Sequence, residues 1–237
     1  MAIGIRIAWL AWTIILAGLL PVLGAETRDA VPLTRIGKIR ELSFEEASKG
    51  LPVKVRGVVT FSDRNIVTLF IHDGVSGIFI RQPWGKSFVW PEPGDEVEVT
   101  GKTDFGVFAP VVTGMKEEVA PEIVVLRKGE LPPPRAVNGL ELAKPDLDCD
   151  WVTIDADVIE VLMVDNDLIL LCHAESCDFH VMVEGPLPPE SVPWDLAESR
   201  VRIRGVVATN FNSNRQMTRR FLRVGSLADV VSLRSTG

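Results

Sequence analysis

The chain has 237 residues, of which 46% are hydrophobic and 24% are charged, a composition that is typical of a folded globular protein and excludes general disorder. The formal net charge of -7 argues against nonspecific binding of nucleic acid by the whole surface. Valine and isoleucine dominate the apolar residues and tyrosine is absent, which favours strands over helices. An all-β fold is therefore the first expectation.

The N-terminal segment predicts export. One cation, Arg6, precedes an uncharged and mostly apolar run over residues 7–25, and Pro21 interrupts this run just ahead of small residues. This is the order of a secretory signal peptide, which we place at residues 1–25, with a short tail at residues 26–32. The alternative is an uncleaved membrane anchor, since a run of about 20 apolar residues can span a bilayer. In both cases we expect the rest of the chain to be periplasmic or secreted, with membrane contact only through an uncleaved N-terminus.

The remainder of the chain contains an internal repeat with a spacing of about 100 residues. Short apolar or alternating segments recur in the same order in both halves, with turn sequences between them. In the first half they are residues 53–59, 69–71, 78–80, 97–101 and 122–126, and in the second half residues 152–158, 168–172, 178–183 and 201–206. Alternation with a period of two is typical of strands that bury one face, so each half is predicted to form a five-stranded unit.

A proline-rich segment separates the two units. Residues 131–134 read Leu-Pro-Pro-Pro, a stiff and extended linker that cannot pair inside a sheet. We therefore predict a first domain at residues 33–130 and a second at residues 131–233, each led by a short helical pattern, at residues 39–47 and 137–143. Closing a short antiparallel sheet removes its edges, and five strands with a long insert between the third and fourth are the OB arrangement. The predicted fold is two tandem OB-like β-barrels.

Several of these segments resemble the extracytoplasmic OB-like regions that precede some bacterial sensor histidine kinases. The segments are LPVKVRGVVT at 51–60, LFIHDGVSGIFI at 69–80, PGDEVEVTG at 93–101, FAP at 108–110, RGVV at 204–207 and NSNRQ at 212–216. The resemblance covers roughly residues 33–225. It implies a tandem OB-like sensory region of a two-component signal transduction system, and it implies little about the ligand, because the shared motifs are turn and strand signatures.

The catalytic part of that family does not follow in this sequence. Neither a transmembrane helix, a histidine-bearing dimerisation helix nor an ATP-binding region is found after residue 225. We expect either a free-standing exported relative or the front of a longer sensor. Phosphate-binding, nucleophile-elbow and metalloprotease motifs are missing as well, and His72 lies in a predicted hairpin turn that its Asp-Gly sequence explains. A non-enzymatic protein without cofactors is expected.

Four possible metal ligands lie close together in the second half: Cys172, His173, Cys177 and His180. Their spacing fits a zinc knuckle poorly. A predicted hairpin brings Cys172 and Cys177 onto opposing strands, and export places them in an oxidising compartment, so these two are the disulfide candidate. Reduced, buried cysteines are the second interpretation and a metal site is the third, and no metal is assigned. Cys149 is left without a partner in the disulfide scheme.

Three aromatic residues, Trp84, Phe88 and Trp90, fall in the insert between the third and fourth predicted strands. An OB barrel often plugs its base with such an insert, and the neighbouring prolines favour a packed loop, so a core role is the first interpretation. Aromatic side chains on an OB surface also stack on bases. This second interpretation keeps nucleic acid open as a ligand.

Positive charge is concentrated near the C-terminus, where no acidic residue occurs between Ser199 and Ala228. Because alternate residues of a strand share a face, three of the arginines in this stretch should project from one side. The candidate ligand- or anion-binding residues are Arg200, Arg202, Arg204, Arg215, Arg219 and Arg220. The alternatives are a solvated strand face and a docking surface for the acidic first domain.

The expected function is that of an exported recognition module that senses an unknown protein or a small anionic ligand, as the resemblance implies. The alternative is an oligonucleotide- or polyanion-binding OB protein that uses the arginine-rich second domain. The acidic balance of the whole chain favours the first interpretation. A purely structural envelope protein is the third.

Overall fold

The structure, a computed structural model, describes residues 31–84, 90–164 and 167–233. The predicted signal peptide at residues 1–25 lies outside these ranges, and so does Phe88. Among the described residues, no helix is long and apolar enough to cross a membrane. Strands dominate, as expected for an all-β fold, and they form two sheets that follow one another along the chain.

The first sheet closes into an OB-type barrel. Its elements are α1 (Ile36–Arg40), α2 (Phe44–Ala47), β1 (Pro52–Asp63), β2 (Thr68–His72), β3 (Gly77–Phe79), β4 (Glu96–Asp104), β5 (Val111–Thr113) and β6 (Glu122–Arg127). The antiparallel pairs are β1 with β2, β2 with β3, β1 with β4 and β4 with β5. A parallel bridge between Ile80, directly after β3, and Val112 in β5 closes the ring. This strand order is that of the OB fold.

The second sheet repeats this topology, and the parallel pair that closes it is longer than the single bridge of the first sheet. Its elements are β7 (Arg135–Ala136), α3 (Gly139–Leu142), β8 (Trp151–Val164), β9 (Asp167–Ala174), β10 (Cys177–Val183), β11 (Arg200–Phe211), β12 (Met217–Val224) and β13 (Val230–Ser232). Single 3-10 turns lie at Pro145–Leu147, Pro189–Ser191, Trp194–Leu196 and Leu227–Asp229. Strands β8, β9, β10, β12 and β11 pair in that order, and β11 returns to β8. Strands β10 and β12 run parallel, as the third and fifth strands of an OB barrel do.

Each barrel surrounds its own apolar core, and strand alternation decides which residues enter it. In β4, Val97 and Val99 are fully buried. Glu96, which precedes them, and Glu98, which lies between them, face outward. The same period places Val201 and Ile203 of β11 inside the second barrel. Burying one such side chain contributes about 1.5–3 kcal/mol to folding, so a shift of one residue in register would cost most of the core.

The short helices α2 and α3 begin at well-formed caps. Ser43 ahead of α2 accepts a hydrogen bond from the Glu46 amide, and Glu46 in return accepts one from the Ser43 amide. Asn138 and Glu141 make the same reciprocal capping box ahead of α3. These matching caps support the inference from sequence that the two units share a lead-in.

The fifth strand of the first barrel is not the segment that the sequence predicted. The closing strand is β5 at Val111–Thr113, and the predicted last strand, at residues 122–126, forms β6, which pairs with the first half of β4. β5 has only three residues, too few to show alternation. The longer segment therefore gave the stronger strand signal although it does not close the barrel.

Candidate functional site

The arginines of β11 project from one side, as the strand period predicts. Arg200, Arg202 and Arg204 are exposed, whereas the residues between them are buried. The register with β8 places Asp157 opposite Arg200 and Asp155 opposite Arg202. Arg202 makes two hydrogen bonds to Asp155, of 2.7 and 2.9 Å, and Arg200 lies 3.3 Å from Asp157. Cross-strand carboxylates therefore neutralise this row.

The remaining arginines also have partners. Arg204 reaches Asp229 at 2.6 Å. The Arg220 side chain is 2% exposed and contacts Asp148 at 3.8 Å. Arg215 donates to the carbonyl of Val107 in the first barrel at 2.7 Å, and its guanidinium lies 4.1 Å from the Phe44 ring centroid. Arg219 lies 3.3 Å from His180.

Partners within the chain therefore hold the arginines of the predicted anion-binding face, and anion binding by them stays a prediction. The six arginines do not converge on one site, and four of them, Arg200, Arg202, Arg204 and Arg220, are paired with carboxylates. The prediction assumed that a row of like charges would need an external anion. The facing strand and the turn at Asp229 supply the negative charge instead.

The predicted disulfide between Cys172 and Cys177 is wrong, because all three cysteines are free thiols. The β9–β10 hairpin has a two-residue turn, so Cys177 lies opposite Ala174 and Cys172 lies opposite Phe179. Both thiols point into the barrel core, and burial raises the pKa of Cys172 to about 12. His173 and His180 lie on the opposite face of the same strands, so the four side chains do not surround one point. The described residues contain no cluster that could hold a metal ion.

The second barrel covers one face of the first. Phe61 and Phe70, on the outer side of β1 and β2, pack against Cys149, Trp151 and Val206 of the second barrel and form a third apolar cluster. OB proteins commonly bind their ligands on the face of the second and third strands. In this chain that face of the first barrel is occupied by the second barrel.

A half-buried polar junction accompanies this contact. The Gly77 amide donates to Asp150 Oδ1 at 3.0 Å, and His72 Nε2 lies 3.9 Å from the same oxygen. Burial lowers the pKa of His72 and raises the pKa of Asp150. Cys149 has φ of 69°, a left-handed conformation, and its carbonyl approaches Gly77 so closely that a Cβ there would lie 1.8 Å away.

A small crevice remains at the edge of the junction. It has a volume of about 200 Å³, and its lining includes aromatic side chains from both barrels, among them Phe70, Phe79, Phe211 and Phe221. Its size is below the range of 300–1,000 Å³ that is common for small-molecule sites. We therefore interpret the crevice as a packing gap between the two barrels, not as a ligand site.

A larger cleft lies on the first barrel, away from the junction. This cleft, which we call the Trp84 cleft, has a volume of about 620 Å³ and lies between the ends of β4 and β5 and the segment that follows β3. Its lining includes Arg81, Gln82, Trp84, Lys102, Asp104 and Lys116. The Trp84 side chain is 72% exposed, so its ring is free to stack, and the predicted core role does not apply to it.

Gln82 is the unusual side chain of the Trp84 cleft. It is only 4% exposed, and among the described residues neither its amide nitrogen nor its amide oxygen has a hydrogen-bond partner. Leaving a buried amide unpaired costs about 1–3 kcal/mol. No sequence motif singles out this residue, although the strand period gives a signal: Ile78 and Ile80 point into the barrel, and Gln82 is the next residue of the same parity.

The charges around the Trp84 cleft nearly cancel. Arg81 and Asp104 form an ion pair of 3.0 Å. Within the described part of the chain, Lys102 and Lys116 form no ion pair with a carboxylate. Glu117 and Glu118 line the same cleft. At most two cations are thus free to meet a phosphate, which is few for a site that holds a polyanion.

A second cleft, of about 520 Å³, lies beside the arginine row of β11. It is lined by the ion pairs of Arg200 with Asp157 and of Arg202 with Asp155. The buried hydroxyl of Thr153 in this cleft also lacks a partner among the described residues. Since no aromatic side chain is among its described lining and its charges are already paired, the Trp84 cleft is the stronger candidate.

Comparison with known proteins gives low similarity throughout. The chain matches no known protein family and no curated protein. Among solved structures, it is similar to fission yeast Pot1 with ssDNA, with 9% identity over 86% of this chain and 91% of that one, at a TM-score of 0.37. A murine DNA binding protein bound with double-stranded DNA shares 11% identity over 78% and 98% of the two chains, at a TM-score of 0.35.

A third similar structure is a putative aspartyl-tRNA synthetase from Leishmania major Friedlin. It shares 18% identity over 46% of this chain, and this chain covers only 22% of its length, at a TM-score of 0.33. TM-scores this low support no inference about what the chain binds. The assignment to the OB fold therefore rests on the strand order and closure described above.

Proposed function

We propose that the protein is a non-enzymatic recognition module that binds the base of a nucleotide, or of a short single-stranded oligonucleotide, in the Trp84 cleft. One observation carries the proposal: an exposed indole ring and a buried amide without partners line the same cleft. Single-stranded nucleic acid is recognised by stacking of bases on aromatic rings and by hydrogen bonds to the base edges. The Trp84 cleft offers both kinds of contact.

The charge of the cleft favours contacts to the base over contacts to the phosphates. With Arg81 held by Asp104, only Lys102 and Lys116 are free to neutralise a backbone. Each neutralised phosphate of a single strand contributes about 0.7 to the slope of the logarithm of affinity against the logarithm of salt concentration. We therefore expect a slope no steeper than about -1.4. A polyanion without bases, such as heparin, should not compete.

The test is fluorescence anisotropy with a labelled oligothymidine of about ten nucleotides, a length within the usual site size of OB barrels. Trp84→Ala should weaken binding about 10-fold, because stacking contributes about 1–3 kcal/mol for each base. Trp194→Ala is the matched control, since Trp194 is 56% exposed on the second barrel and lies far from the cleft in sequence. Binding that heparin abolishes, or that Trp84→Ala leaves unchanged, would contradict the proposal.

We also propose that this recognition takes place outside the cytoplasm, in the manner of the sensory regions that the sequence resembles. The support is the signal-peptide pattern at residues 1–25. N-terminal sequencing of exported protein should give a start near Ala25 or Glu26. An intact Met1 in the membrane fraction would show an anchor instead of a cleaved signal.

A further inference from the structure

Gln82 is the clearest unsatisfied polar group of the first barrel. Of the buried side-chain nitrogen and oxygen atoms without partners among the described residues, two belong to this one amide, and the others lie in the second barrel at Thr153 and Arg220. Buried amides are almost always hydrogen-bonded, and exceptions call for an explanation. The position of Gln82 in the lining of the Trp84 cleft suggests a partner that arrives with the ligand.

A ligand in the Trp84 cleft would contact the Gln82 amide only after a movement that exposes it, because both amide atoms are buried. Rotation about the terminal torsion of glutamine has broad minima, so the amide nitrogen and oxygen can exchange places with little intrinsic resistance. Since neither amide atom is hydrogen-bonded to a described residue, turning breaks no such contact. Ligand binding would thus add hydrogen bonds at Gln82 without removing any.

We infer that Gln82 pairs, through both amide atoms, with the hydrogen-bonding edge of a base that stacks on Trp84. This inference rests on the proposed function and deepens it, because it names the side chain by which the site would distinguish a nucleobase from a planar ring without polar edge atoms. An amide presents one donor and one acceptor side by side, and the edge of a nucleobase presents the complementary pair. A ring of the same shape without polar edge atoms can pair with neither the donor nor the acceptor of the amide.

The same chemistry limits the selectivity of the site. A glutamine amide can exchange the positions of its nitrogen and oxygen by a half-turn, so it accepts bases with either order of donor and acceptor. We therefore expect weak discrimination among the natural bases and strong discrimination against an apolar isostere. A good two-bond pair between a side chain and a base contributes about 1–3 kcal/mol, which corresponds to a preference of about 10- to 100-fold.

The experiment compares two oligomers with the full chain: oligothymidine, and the same oligomer with difluorotoluene, an apolar isostere, in place of thymine. Wild type should prefer oligothymidine by at least about 10-fold. Gln82→Met, which keeps the length of the side chain and removes the amide, should bind both oligomers equally. Gln216→Met is the matched control, because the Gln216 side chain is bonded to Asn212 in an exposed loop, and it should keep the wild-type preference.

Each outcome decides a different point. Equal binding of both oligomers by wild type overturns the role of Gln82 and leaves base stacking at Trp84 intact. A preference that persists in Gln82→Met assigns the edge contact to another group and overturns the inference as well. If wild type binds neither oligomer, the proposed function itself fails. The wild-type comparison needs no variant, so a folding defect in Gln82→Met would not remove the test.

Discussion

The contact between the barrels makes a sharp prediction at Gly77. A Cβ at this position would lie 1.8 Å from the Cys149 carbonyl oxygen and 2.5 Å from its carbon, and both are backbone atoms that cannot rotate away. Gly77→Ala therefore forces β3 and the Cys149 segment apart by about 1.6 Å before the oxygen reaches ordinary van der Waals distance. In a strand without this contact, alanine would be the more stable residue by about 0.5–1 kcal/mol.

The expected cost follows from what that displacement breaks. The hydrogen bond of 3.0 Å from the Gly77 amide to Asp150 has a charged acceptor, a class that contributes about 1.5–3 kcal/mol. Overpacking of a close contact costs about 1–3 kcal/mol. We expect Gly77→Ala to lower the free energy of unfolding by about 3 kcal/mol and to loosen the docking of the barrels.

Two measurements check this reasoning. Urea denaturation followed by circular dichroism gives the free energy of unfolding, and small-angle X-ray scattering gives the radius of gyration, which should increase in Gly77→Ala. Gly225→Ala is the matched control, because no heavy atom lies within 4 Å of its Cβ position. The interpretation is refuted if Gly77→Ala unfolds within about 0.5 kcal/mol of this control and scatters like wild type.

Three further predictions concern single side chains. Gln82→Met should raise the free energy of unfolding in urea by about 1 kcal/mol, because it removes a buried amide without partners; a loss of stability would show that the amide is bonded. Burial lowers the pKa of His72, so the folded protein should lose stability as pH falls below the ordinary value of 6.5. His72→Gln should flatten that loss, and an identical pH profile for variant and wild type would contradict it. Cys172 should resist thiol reagents until the protein unfolds, since its pKa is raised to about 12, and rapid labelling of native protein would disprove its burial.

Strand alternation was sufficient to predict the fold class, because burial on one face leaves a period of two in the sequence. It located β1, β4, β8 and β11, which are long enough to show the period. It missed β5, whose three residues cannot show it. The closing role of β5 depends on contacts with β4 and with Ile80, which are distant in sequence.

The arginine row shows where prediction from sequence ends. The common side of Arg200, Arg202 and Arg204 follows from local geometry and is confirmed. The neutralisation of Arg200 and Arg202 depends on the register between β11 and β8, whose paired residues are 43 and 47 positions apart in the chain. A usable signal existed, because Asp155 and Asp157 alternate along the first strand of the second barrel, and an OB barrel pairs its first and fourth strands.

The candidate site was only partly visible from sequence. Trp84 was recognised as a residue that could stack on a base, but the sequence favoured a core role, and its exposure is a property of the folded insert. Gln82 differs, because the parity of β3 predicts that it points inward, whereas the lack of a partner depends on every residue that packs around it. The burial of a side chain can be predicted from a sequence pattern, whereas the presence of a hydrogen-bond partner for it cannot.

The covered face of the first barrel determines how the chain can be divided. Expression of the first barrel alone would leave Phe61 and Phe70 in water, and the second barrel alone would expose Trp151. Apolar patches uncovered in this way promote aggregation. The proline segment at residues 131–134 therefore looks like a convenient truncation point in the sequence and is a poor one in practice. Experiments on one barrel should therefore use the whole chain, with the site on the other barrel disabled by substitution.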